Sequence, residues 1–186
     1  MKRVQDKVII VSGGAMGMGR SHSELLASHG AWVFVADMNV ELGQATVAGI
    51  RKNGGKADFL KLDVTNEADW NAAVGQIIER AGRIDVLINN AGILILKPVQ
   101  DTTNEDWDRT FDVNARSVFI GTRAVIPFMQ KAGKGNIVNV SSIYGLVGAP
   151  APAPMKRPKG LFVCSPSPAR WIWPPSTSVS TRCIQA

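Results

Sequence analysis

From Lys7 to Val140, short apolar runs alternate with segments of helical periodicity, and this alternation constrains the fold more than any other property of the chain. The apolar runs are Lys7–Ser12, Ala31–Asp37, Ala57–Asp63, Ile84–Asn89 and Asn136–Val140. Between them lie the helical stretches Gly17–Gly30, Val40–Asn53 and Glu67–Ala81, and a long one, Asn104–Gln130. Unbroken hydrophobic runs such as Val8–Val11 and Val86–Ile88 suit strands covered by helices on both faces. The pattern predicts an α/β protein built on a doubly wound, Rossmann-like parallel sheet of about five strands. No apolar run approaches the ~20 residues that span a bilayer, so no membrane partner is expected. The opening Met-Lys-Arg-Val-Gln-Asp-Lys has no apolar leader, and the expected location is cytoplasmic.

After Ser142 the alternation stops. Eight of the ten prolines fall from Pro150 onward, and both cysteines, Cys164 and Cys183, lie there too. Met155–Ala186 carries five basic residues and no acidic one, whereas residues 1–154 hold sixteen basic against fifteen acidic residues. Five of the six net positive charges therefore lie in the tail. We expect one domain over residues 1–149 and an irregular, basic, Pro-rich tail over 150–186. Charge of this kind is a weak nucleic-acid signal, and no nucleic-acid partner is expected. His22 and His29 have no metal-ligand companions, and no metal is expected.

The loop after the first apolar run carries chemistry. Val-Ile-Ile-Val-Ser-Gly-Gly-Ala-Met-Gly-Met-Gly sets Gly13, Gly17 and Gly19 between a strand and a helix. Glycines there permit a tight turn and close approach of a pyrophosphate to the helix N-terminus. The spacing G-x-x-x-G-x-G differs from G-x-G-x-x-G, and a glycine triplet alone is as consistent with a plain strand–helix turn. Strand, loop and helix stand in order, however, and Asp37 ends the next strand 18 residues after Gly19, where a carboxylate accepts hydrogen bonds from ribose hydroxyls. A carboxylate at that place repels the 2′-phosphate of NADP, and Met16 before Gly17 is neutral, so NAD is expected over NADP. Arg20 is the one nearby residue that favours a phosphate.

Residues 1 to about 154 resemble the short-chain dehydrogenase/reductase family in its NAD-preferring branch. Ser12-Gly13-Gly14-Ala15-Met16-Gly17-Met18-Gly19 is similar to the family's T-G-x-x-x-G-x-G, Asp63-Val64 to its adenine-contacting pair, and Asn89-Asn90-Ala91-Gly92 to its N-N-A-G. Asn114, in Phe-Asp-Val-Asn-Ala, matches the helix asparagine of the family's proton relay. Ser142, in Asn-Val-Ser-Ser-Ile-Tyr-Gly, matches its catalytic serine. Taken singly, Asn90 is as good a turn residue, Ser142 as good a cap and Asn114 as good a helix-surface residue. It is their joint order that carries the resemblance. The resemblance implies hydride transfer between NAD and a secondary alcohol or ketone, with Asn114 and Ser142 catalytic. It implies that Gly13, Met16, Gly17, Met18, Gly19, Asp37, Asp63, Val64, Asn90, Ala91 and Gly92 hold the cofactor. The family is usually homo-oligomeric, though a chain shortened in this way lacks much of the usual interface.

The family's chemistry also needs a tyrosine thirteen residues after the serine and a lysine four further on, the ammonium lowering the pKa of the phenol that exchanges the proton. Position 155 holds Met155. Lys159 stands four later, but Pro158 between them cannot sit inside the helix that would present the pair. Tyr144, the only tyrosine, has Gly148 four residues on. Codon degeneracy suggests the cause. Third bases compatible with Pro154–Ser167, read from one nucleotide earlier, permit Y-E-A-S-K-G-A-V-R-L-F-T-K. The same shift further along permits D-I-R-V-N-A-V-H-P-G. We therefore expect a frameshift between Ser142 and Met155, and an inactive chain. A catalytically silent dinucleotide-binding or partner-binding fragment is the alternative.

Overall fold

The structure is a computed structural model and describes residues 3–142 and 178–185. Its elements are β1 (Val8–Ser12), α1 (Gly17–Ser28), β2 (Trp32–Asp37), α2 (Val40–Lys52), β3 (Lys56–Lys61), α3 (Glu67–Ala81) and β4 (Val86–Asn89). A 3-10 turn (Val99–Asp101) and α4 (Asn104–Phe111) follow, then a π-helical turn (Asp112–Arg116), α5 (Ser117–Lys131), β5 (Lys134–Ser141) and β6 (Ser178–Gln185). The strands form one parallel sheet in the order β3-β2-β1-β4-β5-β6.

Strand periodicity separates the core into two layers. Val8 and Ile10 of β1 point to one face with Phe34, Leu60 and Leu87, where Trp70 and Ile77 of α3 and Ile120 and Met129 of α5 cover them. Ile9 and Val11 point to the other, with Val33, Val35 and Ile88 under Ala27 of α1 and Val47 and Ile50 of α2. Both faces of β1 from Val8 to Val11 are therefore covered, which is why this stretch reads as VIIV and not as an alternating strand. At the opposite end from the loops discussed below, buried Asp85 is satisfied by the Val8 N–H at 2.8 Å and the Arg83 guanidinium at 3.0 Å.

The α/β, Rossmann-like architecture is the one the sequence predicts, with two differences. Ser178–Gln185, which the sequence reading places in the irregular tail, pairs in parallel with β5 along its whole length, from Lys134 opposite Ser178 to Ser141 opposite Gln185. The sheet therefore has six strands. This segment follows the last proline, Pro175, and SVSTRCIQ is rich in β-branched residues, so nothing in it forbids a ladder that would otherwise leave β5 as an open edge. The expected irregularity of residues 150–177, and the domain boundary at 149, lie outside the described residues.

The second difference is in Asn104–Gln130, read as one helical stretch. A π turn at Asp112–Arg116 divides it into α4 and α5. Buried Asn114 explains the irregularity: its side chain pairs with the backbone of Ile93 instead of pointing away from the loop, which demands one extra residue in the turn. Among the described residues no helix is long and apolar enough to cross a membrane.

Candidate active site

In this strand order the chain leaves β1 toward β2 on one side, while β4 lies on the other, so the loops after β1 and β4 diverge and open a crevice at the carboxyl ends of the strands. A cleft of about 350 Å³ occupies that position. Its floor is the glycine loop, with Gly13, Met16, Met18 and Gly19. One wall comes from the ends of β2 and β3 through Asp37, Asp63 and Val64, and the other from Asn90, Ala91 and Gly92 after β4. All of these are residues that the sequence predicts at the cofactor site. Gly17 alone among the expected loop residues does not line the cleft, but a Cβ built on it meets nothing within 4 Å, so it faces open space.

The glycines act in two different ways. Gly19 sits in the first turn of α1, where a Cβ would lie 1.9 Å from the Gly13 carbonyl oxygen and 2.6 Å from Asn90 Nδ2. Its absence of a side chain lets helix, loop and Asn90 pack together. Gly17 has φ +52°, a left-handed conformation that other residues adopt at a cost. It opens a helix whose N-terminus is bare. Met16 occupies the N-cap without a side-chain hydrogen bond, and the first turn of α1 has no acidic residue. By contrast, α2, α3 and α4 are capped by Asn39, Asn66 and Thr103 and have acids in their first turns. The free N–H groups and the positive end of the α1 dipole thus face the crevice unneutralised, an arrangement suited to an anion.

The cleft's polar residues are pinned. Asp37 accepts hydrogen bonds from the N–H groups of Ala15 at 3.1 Å and Asn39 at 3.0 Å, which holds the glycine loop against the end of β2. Two carboxylate oxygens offer about four lone-pair sites, so acceptor capacity remains. Asp63 accepts from the Thr65 N–H and hydroxyl, and the Val64 carbonyl accepts from the Trp70 indole at 3.0 Å. Asn90 Nδ2 donates to the carbonyls of Ser12 and Gly13, both at 3.1 Å, and its N–H to Ser12 Oγ at 3.0 Å. Its side chain therefore ties β4 to the β1 loop.

Asn114 and Ser142, expected as catalytic, do not line the cleft. Asn114 is buried, with Oδ1 accepting from Ile93 N–H and Nδ2 donating to Ile93 C=O, each at 2.8 Å. Both of its side-chain functions hold the segment after Gly92. Ser142 stands one residue beyond β5, half-buried, at the same carboxyl edge of the sheet as Asp37 and Asn90. Met155 and Lys159 lie outside the described residues.

Five lining residues escaped the sequence reading: Met38, Leu62, Ile93, Arg109 and Val113. Met38 and Leu62 adjoin Asp37 and Asp63 in sequence and were within reach of it. Arg109 and Val113 share a face of α4 and the following turn, four residues apart, and come to the cleft only through tertiary packing. Helix α4 is fixed by a capping box, in which Thr103 Oγ1 accepts from Asp106 N–H at 3.2 Å and Asp106 accepts from Thr103 N–H at 3.2 Å. The Lys97 ammonium, 2.5 Å from Asp106, is the main influence holding that carboxyl below the usual carboxylate range.

Known proteins are similar to this chain in sequence and in fold. The chain is 64% identical over 160 residues to a cyclopentanol dehydrogenase of Comamonas sp. (strain NCIMB 9872), an alignment covering 86% of this chain and 64% of that protein. It is 45% identical over 152 residues to a trans-4-hydroxycyclohexanecarboxylate dehydrogenase of Sinomonas cyclohexanicum, covering 78% and 58%. The crystal structure of gox2181 superposes with a TM-score of 0.80 at 30% identity, over 86% of this chain and 62% of that one. The chain thus spans less than two thirds of the length of the relatives it matches. The sequence profile of the short chain dehydrogenases matches residues 7–154, and the chain belongs to that family.

Proposed function

We propose that the cleft binds NAD in preference to NADP and that the chain carries the cofactor half of a dehydrogenase for secondary alcohols. The observation that carries this reading is the uncapped N-terminus of α1 behind Gly17, set beside the Asp37 carboxylate at the end of β2. The residues fit such a group: the open space at Gly17 and the bare N–H groups of α1 suit a pyrophosphate, and Asp37 retains acceptor capacity for ribose hydroxyls while disfavouring a 2′-phosphate. In this reading Gly13, Met16, Gly17, Met18 and Gly19 cradle the pyrophosphate, Asp63 and Val64 border the adenine, and Asn90, Ala91 and Gly92 bound the opposite side. When bound, the nicotinamide supplies a hydride acceptor or donor. The chain's residues orient and screen: Ser142 orients the substrate oxygen, and Asn114 supports the proton relay by fixing the backbone at Ile93.

The substrate class is an alicyclic secondary alcohol or the corresponding ketone. The support is the names of the two relatives above, each a dehydrogenase of a hydroxylated ring. The chain as written is catalytically silent, because Met155 stands where the proton-transferring tyrosine belongs and a thioether exchanges no proton. A frameshift just upstream of residue 155 accounts for this. In support, the family match ends at residue 154, one residue before the substitution. The test is calorimetric titration of the full chain with NAD, NADP and AMP. Saturable binding with NAD tighter than NADP is expected; absence of binding, or tighter NADP, would overturn the reading.

A further inference from the structure

Arg109 is an exposed cation that lines the cleft and has no carboxylate partner among the described residues. Its isolation is unusual for this protein, in which Arg20, Arg51, Arg80, Arg83, Arg116 and Arg123 all form ion pairs. Partners are at hand on its own helix. Glu105 precedes it by four residues and Asp106 by three, spacings that ordinarily pair across a helical turn. Asp106 is held instead by Lys97 and Thr103, and Asp112, three residues on, by Arg116. Residues 143–186 contain no Asp or Glu, so no carboxylate side chain of the tail can serve. Neither cleft carboxylate pairs with it: Asp37 accepts from Ala15 and Asn39, Asp63 from Thr65, and neither forms an ion pair with Arg109.

The cleft that Arg109 lines has Met38, Leu62, Val64 and Val113 among its apolar side chains, beside the polar Asp37, Asp63 and Asn90. Four apolar side chains and one unpaired, planar guanidinium make a slot for a flat, electron-rich ring, because guanidinium stacks on aromatic faces and is weakly enough hydrated to do so. Met38 and Leu62 each adjoin an acidic residue, Asp37 and Asp63, on the side of the cleft that the proposed function gives to the adenosine half. We infer that Arg109 is a specificity-determining residue that stacks on the adenine ring, an inference that rests on the dinucleotide reading above. The guanidinium adds selectivity for a purine over a smaller base, a discrimination that the glycine loop, which faces only phosphates, does not supply.

The test compares wild type, Arg109→Ala and Arg109→Lys as full chains, titrated with NAD, ADP-ribose, nicotinamide mononucleotide and NADP, with circular dichroism as a control of folding. Arg109→Ala is expected to weaken NAD and ADP-ribose by about three- to tenfold, as loss of one stacked cation at an exposed site would. Arg109→Lys should recover only part of that, because an ammonium lacks the planar face. Binding of nicotinamide mononucleotide should not change. Equal NAD affinity in wild type and Arg109→Ala would overturn this inference and leave the dinucleotide reading intact. A loss confined to NADP would also overturn it, showing that the guanidinium meets a phosphate. Wild type that binds none of the four would remove the dinucleotide reading and this inference together.

Discussion

Replacing Gly19 and Gly17 separately by alanine distinguishes the two uses of glycine in the β1–α1 loop. At position 19 the new methyl would lie 1.9 Å from the Gly13 oxygen and 2.6 Å from Asn90 Nδ2, whereas carbon–oxygen contacts need more than 3 Å, so α1 must retreat by an ångström or more. Overpacking of this kind costs about 1–3 kcal/mol. The same shift stretches the two 3.1 Å hydrogen bonds from Asn90 Nδ2, each worth about 0.5–1.5 kcal/mol. Higher helix propensity of alanine returns about 1 kcal/mol. The net expectation for Gly19→Ala is a loss of about 1–5 kcal/mol by urea denaturation followed by circular dichroism, together with loss of NAD binding. Gly17→Ala meets no atom within 4 Å, and its only structural penalty is the positive φ, about 1–2 kcal/mol. It should therefore unfold at only slightly lower urea, yet bind NAD far more weakly, because its methyl enters the space assigned to the pyrophosphate. A Gly19→Ala protein as stable as wild type would refute the packing argument, and a Gly17→Ala protein with unchanged NAD affinity would refute the assignment of the space.

Three other perturbations follow from single contacts. Asp37→Ala should narrow the preference for NAD over NADP in calorimetry while also loosening the glycine loop, since it removes the acceptor of the Ala15 N–H; an unchanged preference would contradict the role given to its charge. Asn114→Ala leaves the Ile93 N–H and C=O without their partners and should cost about 1–3 kcal/mol of stability, measured by denaturant midpoint, where a change under a few tenths would contradict the contact. Asp106, with its carboxyl held low by Lys97 and Thr103, stabilises the start of α4 above the ordinary carboxylate pKa, and that contribution is lost as pH falls through its lowered value. Amide protection at Thr103–Asp106 should therefore fall below about pH 4, and protection independent of pH there would count against the capping box.

Much of the fold was legible because two-sided burial writes itself plainly into sequence. The VIIV of β1 and the apolar runs of β2 and β4 admit few other readings, and glycine at 13, 17 and 19 marks where backbone must pass close or turn left-handed. The π turn was not legible. Asp112–Arg116 has ordinary helical composition, and its irregularity comes from Asn114 reaching Ile93, 21 residues away. β6 was hidden for another reason: the composition of residues 150–175 is dominated by proline, and averaging it with SVSTRCIQ masked an eight-residue strand. Arg109 escaped because sequence spacing offers it Glu105 and Asp106, and only the packed structure reveals that it uses neither.

The central claim is that residues 1–154 carry a dehydrogenase scaffold whose proton-transfer step is missing at Met155. The direct measurement compares two purified proteins, the chain as written and one with the alternative frame read from about codon 154, by NADH absorbance with NAD and cyclopentanol among a panel of alicyclic secondary alcohols. The account predicts NADH formation by the restored protein and a rate at least about 10²-fold lower for the chain as written, since general acid–base catalysis alone is worth about 10²–10⁴-fold. Comparable rates from the two proteins would contradict it.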